Sequence, residues 1–284
     1  MQKICIVTDT TAQFPKHKDG WQALVKILPI SLVGENVHQH LTQRIRGSGA
    51  DDAPNSYFLG EEQQQKLKIF LSCLAYEYQQ VFCLLPTKTL FPSFGMVTQT
   101  LEQMNLPSVF TIIDTHSLGF GLGWLIQTFA DFLSKSTNPG EIKRFLHHKI
   151  PRIYTLIYLP NLINLSRSKI LDSDQAFIGD YLGIHSLVLL ENDQIVPYQK
   201  ARNFKNAVDR LIEYAHEFTQ IKYVGLHFGI SIGIKERKNL QNRFQLMLSQ
   251  NPLDSQVMST YLHHVLGDQS ICVILIESDS RHEI

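Results

Sequence analysis

No segment of this 284-residue chain reaches the run of about 18 apolar residues that a membrane-spanning helix requires. Neither sign of charge dominates. The 26 Lys and Arg stand against 26 Asp and Glu, so the basic excess or stripe of a nucleic-acid binder is missing. There is no CxxC pair. Cys5, Cys73, Cys83 and Cys272 lie far apart in sequence, which argues against a disulfide framework and for buried free thiols in a reducing compartment. No charged-then-apolar leader precedes the first strand-like run, and the expected location is the cytoplasm.

Familiar catalytic signatures are missing too. The chain has no GxxxxGK[ST] phosphate loop and no GxSxG nucleophile elbow. Gly119, Gly121 and Gly123, in LGFGLG, lack the GxGxxG spacing of a dinucleotide site. Two roles remain for them: close packing of a helix on a sheet, or close approach to a ligand. His38 with His40, His147 with His148, and His263 with His264 are paired candidate metal ligands, but no third ligand stands at a recognised spacing. No metal and no cofactor is expected.

What is present reads as an ordinary globular α/β protein. The chain is 44% hydrophobic and 18% charged, and its length suits two domains, 1–150 and 151–284. The opening KICIVTDTTAQFP runs Ile4, Cys5, Ile6 and Val7 into Thr8, Asp9, Thr10 and Thr11, the pattern of a buried parallel strand with polar residues at its carboxyl end. A second strand is expected over Val25–Val33, at a sheet edge because Pro29 lies within it. A long loop is expected over Gly34–Gln65. Helices over Lys66–Tyr78, Phe94–Met104 and Leu118–Leu133 alternate with strands over Val81–Leu85 and Val109–Ile113, which implies a parallel sheet. Beyond the turn-rich STNPG at Ser136–Gly140 and a helix over Glu141–Lys149, a new strand starts at Ile153. Leu182–Leu190 and Ile195–Tyr198 flank the hairpin signal Asn192-Asp193. Helices over Phe204–Glu217 and Lys235–Ser249 and strands over Tyr223–Phe228, Gln256–Tyr261 and Ile271–Ile276 complete a second sheet.

Three hydroxyl-rich clusters fall at successive strand ends: Thr8–Thr11, Thr87–Thr89 with Ser93 before the next helix, and Asp114–Ser117. Each residue alone suits a helix N-cap. Together, with helix N-termini, they suit an anionic group such as a carboxylate or phosphate. His264, read as following a strand, is either a loop histidine or a donor to such an anion.

KICIVTDTTAQFP resembles the VTDSTADLP-like opening of the DegV family of bacterial fatty-acid-binding proteins. Further likenesses follow in the same order. IDTHSLGFGLG, from Ile113 to Gly123, is similar to the family's IDSKSVSMGLG-like segment. PTKTLFPSF, from Pro86 to Phe94, stands where the family has an SSKLSGTY-like loop. DQIVPYQKARNFKNA, from Asp193 to Ala207, resembles its DGKIVPLEKVRTRKKA-like stretch, and His264 falls on the histidine of a GTHTGPG-like segment.

The resemblance implies a two-domain DegV-like α/β fold with a parallel N-terminal domain, a mixed C-terminal one, and a long-chain fatty acid held between them. It also implies a carrier rather than an enzyme, one that presents the acyl group to a partner fatty-acid kinase making acyl phosphate for phospholipid synthesis. Transient contact with a membrane surface is compatible with that role. The carboxylate-binding residues map onto Thr87, Ser93, His264 and Ser56. Lys169, in Arg167-Ser168-Lys169, stands at the place of an arginine in the family's GGR-like motif, and Thr10 is a secondary polar residue. Phe91, Phe94, Phe120, Leu122, Phe177 and Ile178 are candidate tunnel walls or plain core residues, and Arg202 matches a surface associated with kinase docking. Asp9, Thr10 and Thr11 are assigned to the strand-to-helix turn and the floor of the site. The family's TSQPS-like, SGT and YxDGxDI-like motifs have diverged here. Two alternatives stay open: a binder of another ligand or regulatory module on the same fold, and a hydrolase using Thr87 or Ser93 with His264.

Overall fold

In a computed structural model of the chain, the described residues are 3–16, 20–29, 61–106, 108–168, 170–191, 194–248 and 251–278. They divide into two compact units, Met1–Leu118 with Leu122–Leu146, and His147–Ile284 with Gly119–Gly121.

The first unit is built on a parallel sheet. Its strands β1 (Ile4–Thr8), β2 (Val25–Ile27), β3 (Gln80–Leu85) and β4 (Phe110–Asp114) lie in the order β2-β1-β3-β4. β1 is buried along its whole length and β3 from Val81 onward, as apolar runs covered on both faces must be. Pro29 follows the edge strand β2, where a missing N–H costs no ladder bond. The expected strand to Val33 ends sooner, at Ile27, and residues 30–33 lie outside the described residues.

Helix α1 (Glu61–Glu77) starts ahead of the expected Lys66, because Glu61 and Glu62 supply the acidic first turn that suits a helix dipole. It buries Leu67, Leu71 and Leu74, one stripe at helical spacing. Helix α2 (Ser93–Met104) ends on Asn105 at φ 52°, the left-handed cap that asparagine tolerates. Helix α3 (Gly119–Leu133) buries Trp124, Leu125, Ile126, Phe129 and Ala130, so it is apolar nearly all round. A Cβ on Gly123 would stand 2.1 Å from the Gln13 carbonyl oxygen. Of the two roles open to this glycine, the structure shows close packing on the segment after β1. Helix α4 (Pro139–Lys149) follows.

The second unit holds β5 (Ile153–Leu159), β6 (His185–Glu191), β7 (Gln194–Ala201), β8 (Ile221–Phe228), β9 (Leu253–Val257) and β10 (Ile271–Glu277), in the order β7-β6-β5-β10-β8-β9. All pairs are antiparallel except β8 with β9, so the sheet is mixed. Helices α5 (Ile163–Arg167), α6 (Ser173–Tyr181), α7 (Phe204–His216), α8 (Ile234–Leu248) and α9 (Thr260–Leu266) accompany it. Ala207, Leu211 and Ala215 of α7 and Leu240 and Phe244 of α8 join Leu156, Leu226 and Val273 of the strands in one core. The strands flanking Asn192-Asp193 pair antiparallel, though that dipeptide lies outside the described residues. The strand expected over Gln256–Tyr261 requires correction. β9 ends at Val257, and the Ser259 hydroxyl accepts the Leu262 N–H to start α9. Among the described residues no helix is long and apolar enough to cross a membrane.

His227 sits fully buried in β8. Its Nε2 accepts the Phe120 N–H at 3.0 Å, and the two rings stack with centroids 4.5 Å apart. Gly119 has φ +50° and lies so close that a Cβ would stand 2.3 Å from Nε2. With Nε2 accepting, the neutral ring carries its proton on Nδ1, which has no partner among the described residues. Burial pushes the imidazole down to about 3 from an ordinary 6.5. The unfolded chain therefore takes up a proton that the folded chain refuses, so this stability is present above the ordinary value and is lost as pH falls below it. At about 1.36 kcal/mol per unit, roughly 2 kcal/mol should be lost between about pH 6.5 and pH 5. Urea unfolding of wild type and His227→Gln across that range should show this loss in wild type alone. An equal slope in both proteins would assign it to other groups.

Candidate functional site

From β1 the chain crosses to β2 on one side of the sheet. From β3 it crosses to β4 on the other. The carboxyl ends of β1 and β3 therefore flank a topological switch point, the place in an open α/β sheet where a crevice forms. All three hydroxyl clusters belong to this rim.

Asp9, immediately after β1, is fully buried. Its Oδ1 accepts the Thr11 N–H at 2.9 Å and the Thr11 hydroxyl, and its Oδ2 accepts the Ser93 hydroxyl at 2.7 Å. Desolvation pushes the Asp9 carboxyl above its ordinary 3.8, opposed by the hydrogen bonds from Thr11 and Ser93. β1 does not run into a helix. Among the described residues the next helical turn is a short 3-10 segment at Gln22–Leu24, so the expected strand-to-helix turn is corrected to a carboxylate-centred turn.

After β3, Thr87 is fully buried; its N–H donates to the Ser117 carbonyl at 2.9 Å and its hydroxyl oxygen accepts the Thr89 N–H at 3.4 Å. The Thr87 carbonyl accepts from Leu90 and Phe91, which turns the chain into α2. After β4, the Thr115 hydroxyl donates to the Leu85 carbonyl at 2.8 Å, closing the rim between β3 and β4. Asp114 accepts the His116 N–H at 2.9 Å and the Lys88 N–H at 3.3 Å, and the Lys88 ammonium lies 3.9 Å from it.

The expected helix-capping role does not account for these hydroxyls. The N-cap of α2 is Pro92 and that of α3 is Leu118, and neither makes a side-chain cap bond. Ser93 is the first residue inside its helix and its hydroxyl goes to Asp9.

The structure thus brings Thr87 and Ser93 to one rim of the first unit. Thr10 is exposed on the same turn. Phe94 is half-buried beneath Lys88, whose ammonium lies 5.9 Å from the ring centre, while Phe91 and Leu122 are buried. In the second unit, Phe120 is buried against His227, and His264 is exposed on α9 rather than following a strand directly. Phe177 and Ile178 of α6 are 69% and 56% exposed, so they are not core residues of that unit. Arg202 is exposed just before the Asn203 cap of α7. Ser56 and Lys169 lie outside the described residues. Sequence reasoning assigned no role to His227. The available signal was a lone histidine inside the apolar strand YVGLHF.

A family model described as "uncharacterised protein, DegV family" matches residues 3–278. A fatty acid-binding protein of Thermotoga maritima is 22% identical over 256 residues, 84% of this chain and 86% of that protein. Among solved structures, a fatty acid binding DegV family protein from Streptococcus agalactiae superimposes with a TM-score of 0.75 at 18% identity, covering 98% of this chain and 100% of that one. The Streptococcus pneumoniae Fatty Acid Kinase (Fak) B3 protein loaded with linoleic acid superimposes with a TM-score of 0.68 at 13% identity, covering 97% and 100%.

The raised Asp9 value carries a sign. The folded chain holds the proton above the ordinary 3.8, so the neutral form's contribution is complete below that value and is lost as pH rises through the folded one. In urea unfolding from about pH 4 upward, Asp9→Asn should therefore gain stability relative to wild type as pH rises. A difference that stays constant with pH would remove Asp9 from the titration.

Proposed function

The chain belongs to the DegV family, and from that membership we propose that it binds one long-chain fatty acid and presents the carboxylate to a partner fatty-acid kinase for acyl-phosphate formation. It is a carrier and not an enzyme of its own. The observation that carries this reading is the rim at the ends of β1 and β3, where buried hydroxyls free of helix-capping duty stand at the switch point of the sheet. Thr87 and Ser93 are the proposed head-group residues there, with His264 and Ser56 as further contributors and Lys169 and Thr10 as secondary ones. Phe94, Phe120, Leu122, Phe177 and Ile178 are proposed acyl-chain contacts. Arg202 is proposed as part of the kinase-docking surface.

The energetics suit such a division of labour. Burying a palmitoyl chain contributes on the order of 10 kcal/mol at about 0.8 kcal/mol per methylene, before ordering costs. The polar residues then need only fix and satisfy one carboxylate. The hydrolase alternative finds less support, because the Ser93 hydroxyl is bonded to a carboxylate rather than to an imidazole.

Native mass spectrometry of purified protein, and of delipidated protein given palmitate, tests the reading. One fatty acid per chain is expected, and a protein that neither carries nor takes up palmitate would sink it. Thr87→Val should weaken retention about tenfold, the worth of one hydrogen bond to a charged group, while the protein stays folded and loses only the long Thr89 N–H bond. Retention equal to wild type would mean Thr87 is not a head-group residue. Arg202→Glu should leave palmitate binding intact and reduce acyl-phosphate formation by an added fatty-acid kinase. Loss of palmitate binding itself would contradict a docking role.

A further inference from the structure

The protons of most buried hydroxyls of the rim can be followed. Those of Thr11 and Ser93 go to Asp9, and that of Thr115 goes to the Leu85 carbonyl. Thr87 accepts from the Thr89 N–H but makes no donor bond among the described residues. Ser117 is left with nothing. Its Oγ is fully enclosed and has no hydrogen-bond partner among the described residues.

An enclosed hydroxyl without a partner forfeits about 1–3 kcal/mol of hydration, so it persists where something else needs it. Capping is not the reason, since Leu118 rather than Ser117 is the N-cap of α3. A loop-closing role is not the reason either, for Thr115 performs that two residues earlier. Thr8 Oγ also lacks a partner, but Thr8 ends β1 and its carbonyl accepts the Leu28 N–H at 2.7 Å, on the side toward β2, whereas the loops of Thr87 and Ser117 follow β3 and β4. Ser117 stands directly beside Thr87, because its carbonyl accepts the Thr87 N–H at 2.9 Å. The loops after β3 and β4 are thus joined by a backbone hydrogen bond between two residues whose hydroxyl protons are uncommitted among the described residues.

We propose that Ser117 is a head-group residue, and that its hydroxyl and that of Thr87 donate jointly to the carboxylate of the bound fatty acid. The inference rests on the fatty-acid reading and adds a residue that reading does not contain. Two O–H donors match the two oxygens of one carboxylate, and hydrogen bonds to an ionised acceptor are about twice as strong as neutral ones. Ser93 then has a different part. Its proton is held by Asp9, so it lines the head-group rim without donating to the carboxylate.

The test compares wild type, Ser117→Ala, Thr87→Val and the double variant for palmitate affinity and for ligand-free melting temperature. Ser117→Ala should bind palmitate about tenfold more weakly and melt no lower than wild type when ligand-free, since alanine removes an unpaired buried hydroxyl. The double variant should lose less than the product of the single losses, because both hydroxyls serve one carboxylate. The carbon-13 signal of carboxyl-labelled palmitate should shift in Ser117→Ala, a change that a purely structural serine would not produce. Wild-type affinity in Ser117→Ala, or a lower ligand-free melting temperature, overturns this inference while the fatty-acid reading stands. No palmitate uptake by wild type overturns both.

Discussion

A carboxyl group as completely buried as Asp9 must be neutral or must have its lone pairs filled, because an unpaired charge in that setting costs several kcal/mol. Two donors from Thr11 and one from Ser93 fill them. Ser93 is 84 positions away in the chain, so this contact ties the turn after β1 to the first residue of α2. The rim of the first unit depends on that tie. It fixes where α2 begins, and hence how Pro86–Pro92 crosses the end of β3. It also fixes which rim hydroxyls are already occupied.

The second unit meets a similar difficulty with the opposite charge type. His227 is as deeply enclosed as Asp9, but it stays neutral and uses one ring nitrogen as an acceptor. The surrounding sequence is cut to fit. Glycine at 119 is required both by its positive φ and by the nearness of the imidazole, and a Cβ on Gly225 would stand 2.7 Å from Phe120. Asp9 recruits donors, whereas His227 excludes neighbours. In both cases the buried polar group dictates the residue types around it, as expected where unsatisfied polarity is the largest local penalty.

Much of this architecture is legible in the sequence because burial on both faces leaves an unmistakable apolar run. β1, β3, β5 and β10 are of that kind, and so is the alternation of strand and helix that makes the first sheet parallel. Legibility fails where a polar side chain decides the outcome. The Gln-rich start of α1 reads as loop, although its two glutamates favour a helix. Gln256–Tyr261 reads as one strand, although the Ser259 cap divides it and places His264 on a helix. At the rim, composition marks Thr87, Ser93 and Ser117 alike. Only three-dimensional pairing separates Ser93, whose proton is taken, from Ser117, whose proton is not.

That separation bears on how head-group donors that are hydroxyls would hold an acidic amphiphile and still let it go. A buried arginine or lysine would grip a carboxylate strongly, and it would be left as an uncompensated buried charge whenever the ligand departed. Hydroxyls avoid this cost. Each is neutral, can donate or accept, and loses only about 1–3 kcal/mol when unpaired. Under the proposed fatty-acid reading the acyl chain would supply nearly all the gross affinity on the order of 10 kcal/mol, so the head-group residues would contribute orientation more than strength. The proposed carrier role would be served by this balance, with a tail bound tightly enough to be retained and a head held loosely enough to be released. Asp9 reinforces the same balance. By holding the Ser93 and Thr11 protons, it limits the donors that remain for an incoming carboxylate to the few the sheet edge leaves free.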